Sequence, residues 1–285
     1  MLSEPLPYHV KIRDYFKSQS GLWSFFSASR KKEEQLASVK SDLLKNTYQF
    51  QPESHPLLYE KIIVILEKLG LGSLSVTVYQ AAHSPELNAS IVCLPGEAHM
   101  VFSGGIQQLL NELEMSAIIA HELAHIKFYS LLDGELEVSD RIISALASSP
   151  DSGAAHYETA RLFQLYKEIY CDREAYRVLG DAAPVVTMLV KIATGLSEVH
   201  AESYFRQAEE IFSRDATVQS ASLTHPENFV RARALQLWKD QGKAEAAMLK
   251  TNGNAEAAIS QMIEGVVELD RMDVLAQKEL TDLTR

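Results

Sequence analysis

Residues 114–132 read EMSAIIAHELAHIKFYSLL. Apolar residues run through the stretch with no Gly or Pro to interrupt it, so it is predicted to be a helix. Within it, HELAH occupies 121–125, which sets His121 and His125 four residues apart on one helix face. Two imidazoles at that spacing can grip one Zn²⁺. Glu122, beside the first histidine, can act on a metal-activated water as a base without being a ligand. Asn111 is placed to cap this helix, with Glu114 three residues on in capping-box register.

Working outward, YEKIIVILEKLG (59–70) reads as an amphipathic helix stopped by Gly70. SLSVTVYQ (73–80), ASIVCL (89–94) and HMVFS (99–103) read as strands, the last two joined by a turn at Pro95, Gly96 and Glu97. Short strands with tight connections predict a small antiparallel sheet packed on the helix that carries HELAH. IQQLL follows as a short helix, and a linker with a short helix spans 133–155 and ends at SSPDSG. Long helices are predicted from about Ala155 to Leu179 and over APVVTMLVKIATGL. THPE at 224–227 has the residues of a helix start, with Thr224 as cap, Pro226 in the first turn and Glu227 at the third position. The fold class is therefore α+β, mostly helical.

A catalytic zinc takes three protein ligands and keeps one position open. A third ligand six residues beyond HELAH is excluded, because Phe128 and Leu131 stand where Gly and His would be needed. A glutamate on the second long helix remains, with Glu158, Glu168 and Glu174 as candidates. Glu168 stands out because Asp172 lies four residues on. A carboxylate there can accept the free N–H of a ligating imidazole and fix its tautomer.

Composition narrows the class. Of 285 residues, 46% are hydrophobic and 23% charged, which excludes wholesale disorder. The net charge is −11, a poor match for nucleic acid or an anionic membrane. Cys93 and Cys171 are too few for a disulfide framework. The strongest apolar runs, IIVIL at 62–66 and VVTMLV at 185–190, are far short of a membrane span. Polar residues interrupt every apolar run of the first thirty residues, so no secretory signal is expected and the cytoplasm is the default. The aromatics of GLWSFF (21–26) are expected to pack an N-terminal arm onto the main body, the alternative being an amphipathic segment that touches a membrane.

Three stretches together resemble the HtpX-like and CAAX-prenyl-protease-type zinc metallopeptidases, the gluzincins of peptidase family forty-eight. They are NASIVCLPGEAHMVFSGGIQQLLNELEMSAIIAHELAHI (88–126), EIYCDREAYRVLGD (168–181) and THPENFVRAR (224–233). The resemblance covers about 75 to 240. It implies zinc binding, one ion per chain, by His121, His125 and Glu168, with Glu122 as catalytic base and Asp172 in support. In this family a downstream histidine can face the site and stabilise an oxyanion, a role open to His225, the alternative being a helix-start residue that follows the Thr224 cap. Arg231 is read as one half of a structural ion pair, the alternative being a surface charge. Cys171 stands where the family usually has Ala, and Ser90 where it usually has Phe. The best-known members carry transmembrane helices, and none is predicted here.

The expected function is that of a zinc-dependent endopeptidase acting on a polypeptide, which lies extended along the sheet edge near Ala89 and Ser90. The Gly-x-Met-Glu-Asn element of HExxH aminopeptidases is missing, which favours internal cleavage. The chain is divided as an N-terminal helical arm (1–54), a metallopeptidase domain (55–242) and a C-terminal helical segment (243–285). The alternatives are a latent enzyme covered by one of its terminal segments and a non-catalytic zinc-bound interaction protein of the same fold.

Overall fold

The structure is a computed structural model and describes residues 4–28, 33–150, 152–215, 218–246 and 259. In chain order the elements are helices α1 (Pro7–Ser18), α2 (Ser20–Ala28) and α3 (Glu33–Asn46), strand β1 (Thr47–Phe50) and helix α4 (Pro56–Leu69). Strands β2 (Ser75–Ala81), β3 (Asn88–Leu94) and β4 (Glu97–Ser103) follow, then helices α5 (Ile106–Leu109) and α6 (Glu112–Ser130). After a 3₁₀ turn (Leu131–Gly134) come α7 (Glu135–Ala147), α8 (Ala154–Leu179), α9 (Ala183–Thr194), α10 (Ala201–Arg214) and α11 (Asn228–Ala246). The fold is α+β and mostly helical, as the sequence predicts. The chain divides into two compact units: residues 1–30, 128–170 and 208–285, and residues 31–127 and 171–207.

In the first unit, α1 buries Ile12 and Phe16. Tyr8 stacks on Tyr166 with ring centroids 4.7 Å apart, and His9 meets Phe128 and Phe163 edge-on at 4.5 and 4.9 Å. Arg13 and Lys17 both pair with Glu135 at the start of α7. The aromatic segment forms α2, but none of its residues is fully buried. Phe25 is 67% exposed, and Leu22, Trp23 and Phe26 are half-buried.

The second unit holds a four-stranded sheet in the order β1-β2-β4-β3. It is mixed, which corrects the expected antiparallel sheet: β2 and β4 run parallel, whereas β1–β2 and β3–β4 are antiparallel. The reason is burial. Ala98, Met100 and Phe102 of β4 have no exposed surface, so β4 takes a central place, while Ser90 and Cys93 leave β3 half in water at the edge. The loop 82–87 is tied back across the end of β4: Gly104 N–H donates to the Ser84 carbonyl (3.1 Å), and the Ser103 hydroxyl donates to the Glu86 carbonyl (2.8 Å). Gly104 has φ +60°, and a Cβ there would lie 2.7 Å from the Glu86 oxygen. Residues 47–50, inside the segment read as a helical arm, form β1; Thr47, Tyr48 and Phe50 are strand-favouring types.

The capping expectations for α4 and α6 hold. Leu71 N–H reaches Leu66 O (2.8 Å) and Gly70 N–H reaches Glu67 O (3.0 Å), the paired bonds of a left-handed helix end. Asn111 Oδ1 accepts from Leu113 and Glu114 N–H, both at 3.0 Å, while the Glu114 carboxylate accepts from Asn111 N–H (2.9 Å). Lys191 of α9 pairs with that same buried carboxylate at 2.9 Å. The helix start predicted at Thr224 is corrected: α11 begins at Asn228. The Glu227 carbonyl accepts from Val230 and Arg231 N–H, and its carboxylate reaches back to Ala221 N–H (3.0 Å), so Glu227 closes the loop that Thr224 was expected to end. Of the predicted C-terminal helix, residues 243–246 end α11 and Ile259 is helical and buried; the rest of that segment lies outside the described residues.

Candidate metal centre and active site

α6 and α8 are long because their sequences carry no breaker, and each runs unbroken through its full span. α6 presents His121, Glu122 and His125. His121 and Glu122 are almost fully buried, and the two imidazole centroids stand 5.1 Å apart, nearly perpendicular at 82°. His121 Nδ1 lies 3.0 Å from Asp172 Oδ1, and Asp172 has no exposed surface. A carboxylate only accepts at neutral pH, so Nδ1 donates, and the lone pair of His121 is then on Nε2.

α8 presents Glu168, which is 4% exposed. Its Oε2 lies 3.7 Å from His225 Nε2 and 3.8 Å from the guanidinium of buried Arg231. His225 itself stands on an exposed loop with 63% of its side chain in water, and its Nδ1 is 3.0 Å from the Thr224 hydroxyl. The ligand atoms of His121, His125 and Glu168 all lie within 4.8 Å of one another. Two imidazole nitrogens and one carboxylate oxygen, one imidazole oriented by an aspartate, are a donor set that fits Zn²⁺.

The other two glutamates weighed as third ligand have different neighbours. Glu158 is gripped by Arg161 through two bonds of 2.8 and 2.6 Å. Glu174, buried, lies 3.2 Å from Lys127 and 2.9 Å from Arg177. Burial holds the Lys127 ammonium below its ordinary range, with Glu174 pulling it back up. Cys171 is fully buried and Cys93 lies on the exposed side of β3; neither forms a disulfide. Ala89 and Ser90 lie on β3, Ala89 buried and Ser90 exposed, and among the described residues β3 pairs with β4 alone.

The sequence reading overlooked Arg161. Besides Glu158, its guanidinium donates to the carbonyls of Ser220 (3.3 Å) and Ser222 (3.0 Å), just before His225. In the sequence Arg161 looks like half of an ordinary helical ion pair, and nothing there signals a contact some sixty residues away.

The class these features point to, a metallopeptidase, agrees with the comparisons. A family model described as Peptidase family M48 matches residues 56–239, more than half of the chain, and the chain belongs to that family. Among curated proteins it is similar to the Plastoglobule-localized metallopeptidase 48, chloroplastic, of Arabidopsis thaliana, 26% identical over 188 residues. That match covers 59% of this chain and 54% of the plant protein. It is also similar to a Protease HtpX homolog of Campylobacter curvus, 37% identical over 62 residues, 21% of this chain and 22% of that one. The chain thus spans about half the length of the first relative and about a fifth of the second. No solved structure matches. No helix among the described residues is long and apolar enough to cross a membrane.

Proposed function

We propose that the chain is a zinc-dependent endopeptidase, with a peptidase domain over 55–242, acting in the cytoplasm. The observation that carries the reading is the convergence of His121, His125 and Glu168 within 4.8 Å, with His121 oriented by Asp172. These three would hold one Zn²⁺, which when bound supplies a Lewis acid that lowers the pKa of a coordinated water to about 7.

The chain's own groups do the rest. Glu122, one residue from His121, takes the proton from the attacking water as its oxygen adds to the scissile carbonyl carbon. The C–N bond then breaks, and Glu122 returns the proton to the leaving amine. His225 supports the oxyanion: in the tautomer whose Nδ1 accepts from the Thr224 hydroxyl, Nε2 carries the hydrogen that the oxyanion accepts. His225 and Arg231 both lie beside Glu168, 3.7 and 3.8 Å from its Oε2. The substrate adds as a strand to the outer edge of β3 near Ala89 and Ser90, where alternate residues turn their N–H and C=O groups outward.

The test is metal content measured beside cleavage. Purified protein is expected to hold about one zinc per chain and to cut an unstructured protein internally. His121→Ala, His125→Ala and Glu168→Ala are each expected to lose most of the metal. Full zinc in Glu168→Ala, with loss in Glu158→Ala or Glu174→Ala, would reassign the third ligand.

A further inference from the structure

The face of α8 that carries Glu168 continues beyond the ligand set. Tyr157, Arg161, Gln164 and Glu168 follow one another at intervals of four, three and four residues, so their side chains lie within about 60° of arc. Three of them, Tyr157, Arg161 and Gln164, line an open groove of about 580 Å³, closed opposite by the end of α7 and rimmed by Leu223. The groove is mainly apolar and its walls are short: Ala147, Ala154 and Ala160 leave the space that larger side chains would fill. Tyr157 is 56% exposed and Leu223 75% exposed on its rim. Glu158 and Arg161, the charged residues that line it, neutralise each other.

Arg161 also joins this groove to the proposed chemistry. By holding the Ser220 and Ser222 carbonyls it sets the loop that carries Leu223 at the groove rim and His225, two residues on, beside Glu168.

We infer that this groove is a substrate subsite, which takes a bulky uncharged side chain of the polypeptide being cut, such as Leu, Met or Phe. The inference rests on the peptidase reading, and the occupant follows from the groove residues Tyr157, Arg161 and Gln164 sharing one helix face with Glu168 and from Arg161 holding the loop that carries His225. The position of the preferred residue follows from geometry. Gln164 and Tyr157 lie four and eleven residues from Glu168, or about 6 and 16 Å along the helix at 1.5 Å per residue. An extended peptide advances about 3.3 Å per residue. The groove therefore reads a side chain about two to five residues from the scissile bond, on one side only, and not the residue next to it.

The test has a cleavage arm and a binding arm. Fragments of an unfolded casein cut by the wild-type protein are mapped by mass spectrometry. Sites with Leu, Met or Phe two to five residues away on one side are expected to be enriched. Ala160→Phe, which fills the groove, and Leu223→Ser, which strips its rim on an exposed loop and does not threaten folding, are each expected to flatten that preference about tenfold, through KM more than kcat. In the binding arm, labelled casein peptides are titrated by anisotropy into zinc-loaded Glu122→Gln, with and without the groove substitutions. Weaker binding of apolar peptides in the groove variants supports the subsite even if the wild-type protein cuts nothing, which would instead sink the peptidase reading. A wild-type preference retained by both groove variants, or equal binding in all of them, would overturn the subsite and leave the peptidase reading standing. No binding to Glu122→Gln at all would overturn it too.

Discussion

At the scale of the single residue, the contact of buried Asp172 with His121 is the one by which we propose that Asp172 tunes a site it does not join. Its carboxylate accepts from His121 Nδ1 at 3.0 Å with no exposed surface, so it holds both the tautomer and the ring plane. Asp172→Ala is expected to weaken zinc affinity by about 10–100-fold, read by competition with a chelator. An unchanged affinity would reduce it to a structural acceptor. Its neighbour Cys171 is the contrary case: a thiol beside a proposed metal site invites a ligand role, yet it is fully buried and outside the clustered group. Cys171→Ala is expected to keep its zinc, and metal loss there would make the thiol part of the centre. At this scale the sequence was most legible. The i, i+4 histidines, the glutamate between them and the E-x-x-x-D pair are local patterns whose geometry a helix dictates. Arg161 was not legible, because its partners at 220 and 222 become neighbours only through tertiary folding.

At the scale of elements, local signals and long-range order separate in the same way. The Gly70 and Asn111 caps follow from a few adjacent residues and appear as predicted. The order of the sheet depends on which strand is most buried, here β4, and the tight turns alone predicted an antiparallel sheet without the parallel β2–β4 pair. Gly104 enforces the observed order by letting loop 82–87 close over the end of β4. Gly104→Ala meets both a positive φ and the Glu86 carbonyl, so it is expected to cost about 1–3 kcal/mol, measured as a lower denaturant midpoint. A midpoint equal to that of the wild-type protein would contradict this account of the loop. The pairing of α1 with α7 adds a pH dependence. Burial pushes the Glu135 carboxyl up, but hydrogen bonds from Lys17 and Arg13 outweigh it and hold the group below its ordinary value. A depressed carboxyl contributes stability above its unfolded pKa of about 4.3 and loses it as pH falls through the folded value. Glu135→Gln is therefore expected to be less stable at pH 7, by no more than about 1 kcal/mol for an ion-pair cluster that water still partly screens, with the gap closing in acid. A gap that persists at low pH would point to packing and not charge.

At the scale of the whole molecule, the family match begins at residue 56, yet the chain before it is built into the fold. α1 buries Ile12 and Phe16 and stacks Tyr8 on Tyr166, and β1 completes the sheet. Removing residues 1–54 is expected to yield an unfolded or aggregated protein. A folded truncation with increased cleavage would instead favour a latent enzyme released from its own N-terminus. Glu122 separates a catalytic centre from a structural one, because a zinc site kept only for stability has no use for a carboxylate at that position. Glu122→Gln keeps the size of the side chain and leaves His121, His125 and Glu168 untouched. The direct measurement is zinc content and casein cleavage on the same preparations of wild-type and Glu122→Gln protein. The predicted result is equal zinc, near one per chain, with hydrolysis lower by about 10²–10⁴-fold in the variant. Equal zinc with equal cleavage would contradict the assignment of Glu122 as the base.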